Sequence, residues 1–355
     1  MKKSKEAKNK YGQAKDNEQA QMNGVADWVD EQIGGNGGSK VDPSLKKISV
    51  GEKATANGTI NGKSGNYNNP TIPEGYTPIN DGLAVWGNGS SAPTQEAIEH
   101  GLVIKDDSNN EWVWVPVDSA TLAKMCDMSN TEEHTLCGTS GNTAVKTTKY
   151  SKSYSENMER VPSGEIMGFH EPDLIVGVDE PSFDASAEYY NTILGFASKE
   201  KMAESIAAAY NEMITSIQKY GGFYIGRYEL SEDGVQKDKA PLSAIAWYTA
   251  YKECKDLNAS DKVETGMIWG IQWDVTCDFI ANKGDKKSIT DSRSWGNYAD
   301  SIAPANTGNY EKNSDGFGQQ KNTGSNEAWK ANNIYDLAGN CEEWTQEGAR
   351  SYPKS

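Results

Sequence analysis

The chain has 355 residues, with 51 acidic side chains against 35 basic ones, a net charge of −16 and a mean hydropathy of −0.74. That balance excludes nucleic acid as a partner, because phosphates would be repelled and no basic patch offsets the charge. No stretch approaches the roughly 20 consecutive apolar residues of a membrane-spanning helix, and no signal peptide opens the chain, so the expectation is either a cytoplasmic protein or an export and anchor segment outside this sequence.

The apolar fraction of 36% is low and the 35 glycines are many, which points to long polar loops around a modest core. Aromatic residues lean to Trp (10) and Tyr (17) over Phe (6). Such side chains bury area while keeping a polar tip, as loop-rich surfaces and ligand sites require.

In chain order, residues 1–35 read as a polar amphipathic helix. Val25, Trp28, Val29 and Ile33 form a narrow apolar stripe, and the Gly34–Gly38 run ends it. Residues 36–70, rich in Gly, Asn and Ser, read as a linker with one strand where a short alternation runs at Ile48–Val50. From residue 71 to 355 the composition is that of a domain. Gly101–Lys105 and Glu111–Val117 read as the arms of a hairpin around the turn Asp106–Asn110. Residues 118–197 carry no clear period.

A helix is expected over 198–220, where Met202, Ile206, Tyr210, Met213, Ile217 and Tyr220 recur at helical steps and Gly221-Gly222 stops them. Phe223–Glu229 reads as a strand. Two further helices are expected at 246–257 (Trp247, Ala250, Tyr251, Cys254 and Leu257 on one face) and at 271–282 (Trp273, Thr276, Cys277 and Ile280). Of the five cysteines none forms a CxxC, and there are three histidines, which argues against structural zinc. Cys126 and Cys137 would pair in an oxidising compartment; otherwise all five are reduced thiols. The chain has no P-loop, no HExxH and no GxGxxG after a strand.

The most informative stretch is Asn332–Thr345. Ile334, Leu337 and Ala338 have the spacing of one helical turn, with Asn333 as its N-cap, Asp336 at the capping-box position and Gly339 in the left-handed conformation that ends it. Asn340 and Glu343 then offer two oxygens close together. They either cap backbone and face solvent, or hold a calcium ion.

Several motifs together resemble the formylglycine-generating enzyme, or sulfatase-modifying factor, family. They are Gly221-Gly222-Phe223-Tyr224-Ile225-Gly226-Arg227-Tyr228-Glu229, Ile245-Ala246-Trp247-Tyr248-Thr249-Ala250, the altered Met267–Asp274 segment, and Asn333–Trp344 with its Gly339-Asn340-Cys341-Glu342-Glu343-Trp344 ending. The resemblance spans roughly residues 100–350. It implies an α+β, C-type lectin-like fold whose C-terminal part is missing here.

The resemblance also implies calcium at Asn340 and Glu343, with Gly339 and Cys341 contributing backbone carbonyls, and a second site at Asn306 and Thr307. Enzymes of that family hold copper with two cysteines placed after this motif. Only eleven residues follow Trp344, none of them cysteine. The expectation is therefore a non-catalytic, lectin-like display domain of a bacterial or phage surface protein, binding a glycan or a protein. The alternatives are an oxidoreductase whose active cysteines lie further on, or a structural pilin-like subunit. The last rests on residues 1–35, where Ser4–Tyr11 onward resembles the exposed part of the N-terminal helix of type IV pilin-like surface proteins.

Overall fold

The computed structural model describes residues 44–125, three strands at 131–135, 144–148 and 158–162, and residues 191–257, 263–298 and 320–351, apart from positions 193, 198, 246 and 342. The expected helix of residues 1–35, the Cys126–Cys137 loop and the Asn306–Thr307 pair lie outside the described residues, the strand at 131–135 apart.

The architecture is α+β. A four-stranded antiparallel sheet carries β3 (Thr77–Ile79), β4 (Val103–Lys105), β5 (Glu111–Pro116) and β9 (Gly222–Gly226), in that order. The expected hairpin is β4–β5, with Val103 opposite Val113 and Lys105 opposite Glu111. Its turn is held by Asp106, whose Oδ1 accepts from the backbone N–H of Ser108 and of Asn110, both at 2.9 Å. Asn109 supplies the positive φ of 64° that the turn requires.

Period-2 alternation splits the strands between two cores. Val113, Val115 and Val117 join the larger cluster, whereas Trp112 and Trp114 join the smaller one. Phe223 and Ile225 likewise pack on the first and Tyr224 on the second.

The larger core is covered by helices. The periodic segment forms a helix, Lys199–Tyr220, with Ile217 buried at its end. Gly221, at φ 75°, donates its N–H to Ile217 O at 2.8 Å, a left-handed stop. The helix Trp247–Asp256 buries Trp247, Tyr248, Ala250 and Tyr251. The helix Gly270–Asn282 is buried on most of its surface, and Gln272 Oε1 accepts the Trp269 N–H at 3.1 Å at its entry.

The smaller core corrects the linker expectation for its described part. Ile48, Ala54 and Ile60 are buried, and β1 (Lys46–Lys47) pairs in parallel with β2 (Gly58–Thr59). The polar composition there serves internal hydrogen bonding. Asn61 Oδ1 accepts from Thr59 Oγ1, Lys63 N and Asn69 Nδ2 at 3.0–3.2 Å. A segment rich in Asn, Gly and Ser can thus be ordered when its side chains bond its own backbone.

Further along, β6 (Thr131–Thr135) pairs with β7 (Ala144–Thr148). β8 (Met158–Pro162) pairs with β12 (Glu347–Ser351), within or against a region whose sequence shows no period. No described helix is long and apolar enough to cross a membrane.

Candidate functional site

The helical turn expected at Asn333–Ala338 is not formed. Lys330–Ala331 (β10) and Ile334–Tyr335 (β11) form a hairpin, with Asn332 (φ 46°) and Asn333 (φ 64°) as its two central residues. Positive φ at both positions is the signature of a primed hairpin turn, and Asn tolerates it better than most residues. Asp336 (φ 57°), Gly339 (φ 87°) and Asn340 (φ 64°) are also left-handed. A right-handed helix cannot pass through such positions, so the i, i+3, i+4 spacing of Ile334, Leu337 and Ala338 misleads.

The turn amides bind distant backbone. Asn332 Nδ2 donates to Phe279 O (3.2 Å) and Lys283 O (3.3 Å), while its Oδ1 accepts from Asp285 N (2.8 Å). Asn333 Nδ2 donates to Gly101 O at 3.0 Å.

Just beyond lies a cluster of carboxylates. Asp336 is fully buried; its Oδ2 accepts from Thr323 Oγ1 (3.0 Å) and Gly324 N (2.7 Å). Its Oδ1 has no partner among the described residues. Burial pushes its pKa up to about 6. Glu229 comes from just past β9. It accepts from Asn340 Nδ2 and, at 3.0 Å, from the N–H of Cys341. Burial, and next the nearby Asp336 charge, push Glu229 up to about 8. Burial and the same carboxylates raise the Cys341 thiol to about 12.

Arg227, two residues before Glu229, is a buried charge with partners of its own. The Arg227 guanidinium bonds Asp81 and, at 2.7 Å, Glu111, and lies over the rings of Tyr228 (5.5 Å) and Tyr335 (5.4 Å).

The four residues expected to hold calcium have these surroundings. Asn340 Oδ1 already accepts from Asn297 Nδ2 (2.9 Å) and from Lys321 N (2.8 Å), which occupies both its lone pairs. Glu343 is exposed. Gly339 lies in a bridge to Asn297, and Cys341 is half-buried. Among the described residues no group of three or more His, Cys, Asp and Glu side chains is placed to hold a metal.

Beside this cluster runs a cleft of about 920 Å³. One wall carries Thr71, Pro73, Tyr76, Trp112 and Trp114; the other carries Met213, Ile217, Tyr251, Trp269 and Trp273; β9 lies between them. Asn340, Cys341, Glu343 and Trp344 close one end. Two indole bonds tie that end to the helix Trp247–Asp256 and its approach: Trp247 Nε1 to Thr345 O (2.8 Å) and Trp344 Nε1 to Ile245 O (3.2 Å).

Of the residues singled out in the sequence, Asn340, Cys341 and Glu343 line the cleft and Gly339 does not; Glu229, Asp336 as a buried acid, and Arg227 carry no mark in a local sequence pattern, apart from the charged pair Arg227 and Glu229 directly after an apolar strand. No family model, curated protein or solved structure matches the chain.

Proposed function

We propose that the chain is a non-catalytic ligand-binding domain of C-type lectin-like build, displayed on a bacterial or phage surface, with the cleft beside β9 as its binding site. The observation that carries this reading is the cleft itself: about 920 Å³, walled by Trp and Tyr side chains on both faces of the sheet. Pockets of that size and character are the usual seats of ligands. The motifs at 221–229 and 333–344 support the fold assignment, and the acidic, Trp- and Tyr-rich composition supports display.

Binding without turnover suits the one thiol that lines the cleft near the carboxylates. Cys341 is held protonated, with its pKa pushed to about 12, whereas a nucleophilic cysteine needs a thiolate. The loop at Asn340 is held by its own hydrogen bonds, so calcium is not part of this proposal.

The test is a binding screen on immobilised glycans and peptides, read by tryptophan fluorescence and repeated with Trp273→Ala and Tyr251→Ala. A ligand that perturbs the wild-type emission and loses at least about tenfold in affinity in either variant supports the cleft. A ligand whose affinity neither variant changes removes the cleft as its site.

A further inference from the structure

The free edge of β9 lies inside the cleft. Val117 donates its N–H to Gly221 O, and Arg227 donates to Glu111 O, both at 2.9 Å. In the β5–β9 register these fix residues 221, 223, 225 and 227 as the ones bonded to β5. Antiparallel strands alternate, so the backbone N–H and C=O groups of Gly222, Tyr224 and Gly226 point the other way. Among the described residues no strand pairs with that edge. It faces a cleft whose walls belong to both cores, so the edge is flanked by apolar side chains above and below. Unpaired strand edges in such a setting are templates for another strand.

The charges around the cleft are one-sided. Glu212, Glu264 and Glu343 line it and are exposed. Among the described residues the one cationic side chain in the lining is Lys255, which lies 5.6 Å over the Tyr251 ring. A second copy of the chain would bring another −16 charge to this acidic site.

We propose that the cleft takes an extended segment of a basic partner polypeptide, which adds as a strand to the Gly222–Gly226 edge. Its backbone would bond Gly222, Tyr224 and Gly226. Its apolar side chains would pack on the aromatic walls, and its Lys or Arg side chains would meet Glu212, Glu264 and Glu343, which line the same cleft. Five residues of β9 span roughly 17 Å, so a partner segment of similar length fills the edge. This inference rests on the cleft being the ligand site.

The probe is a ten-residue peptide of alternating Val and Lys, with three controls. One replaces Lys by Glu, one carries N-methyl groups on the Val nitrogens only, and one on the Lys nitrogens only. All have their affinity measured by titration at low and moderate salt, with amide exchange followed on the protein. The parent peptide should bind at least about tenfold more tightly than the Glu peptide. The two methylated peptides should differ, since alternate N–H groups face opposite edges of the added strand; one should lose about tenfold or more and the other little. The Tyr224 and Gly226 amides should become protected.

Equal affinity of both methylated peptides and the parent, with no amide protection, would mean charge attraction alone and overturn strand addition. No peptide binding, with a glycan that loses affinity in Trp273→Ala, would also overturn it while leaving the cleft as the binding site. A peptide that binds with edge protection but unchanged affinity in Trp273→Ala and Tyr251→Ala would support the edge and refute the aromatic wall as the site of binding.

Discussion

Raising the pH from about 5 to about 8 should weaken this fold, with Glu229 as the main cause. In the folded chain burial and the neighbouring Asp336 move its pKa from 4.5 to about 8. In the unfolded chain it ionises at the ordinary value. Through the window between, the unfolded state therefore holds fewer protons than the folded one, and stability falls as pH rises. The contribution is fully present below about 4.5 and is lost as the pH climbs through about 8. At about 1.4 kcal/mol per pH unit, less some screening at a carboxylate that is not wholly enclosed, the loss is on the order of 3–4 kcal/mol. Asp336 adds to it at lower pH, moving from 3.8 to about 6.

The assay is urea unfolding at a series of pH values, for wild type and Glu229→Gln. The amide cannot accept from both Asn340 Nδ2 and the Cys341 N–H with equal ease, so the variant should be weaker by about 1–2 kcal/mol near pH 5. Its stability should then depend far less on pH, so that the two curves converge or cross near pH 8. Parallel curves for the two proteins from pH 5 to pH 8 would refute the reasoning, because the slope would then come from other groups.

Arg227→Met leaves Asp81 and Glu111 without their buried cation and should cost about 3–5 kcal/mol by denaturant unfolding, far more than a surface ion pair; a loss under about 1 kcal/mol would show that these ion pairs add little to stability. Asn332→Gly keeps a residue suited to φ 46° but removes three side-chain hydrogen bonds, and should still cost about 2–3 kcal/mol; a neutral result would assign the Asn to backbone conformation alone. Millimolar calcium should leave the melting temperature unchanged, because Asn340 Oδ1 is already engaged by two donors. A rise of several degrees that Asn340→Ala abolishes would restore that loop as a calcium site.

The local parts of this fold were legible because local patterns encode them. The Met213–Ile217–Tyr220 spacing and the Gly221 stop lie within one helix and its end. The β4–β5 hairpin was readable from two β-rich runs around an Asp- and Asn-rich turn. Asn332–Ala338 failed because an apolar i, i+3, i+4 spacing fits a helical turn equally well. Four left-handed Asn and Asp residues in the hairpin and the loop after it decide otherwise, and composition alone does not reveal their φ values. Residues 44–70 failed for a related reason: polar residues that bond their own backbone have the composition of a linker.

The sequence by itself determined the three long helices and the β4–β5 hairpin, the alternation that gives β5 two apolar faces, and the gathering of Gly339, Asn340, Cys341 and Glu343 in one loop. Tertiary structure alone decided what those pieces do together. The pairing of β5 with β9 joins residues more than 100 positions apart, and no local period records it. Among the described residues, that pairing leaves one edge of β9 open in the cleft. It also carries Glu229 to Asn340 and Cys341, where removal from water and the charge of Asp336 turn an ordinary glutamate into one that gives up its proton only near pH 8.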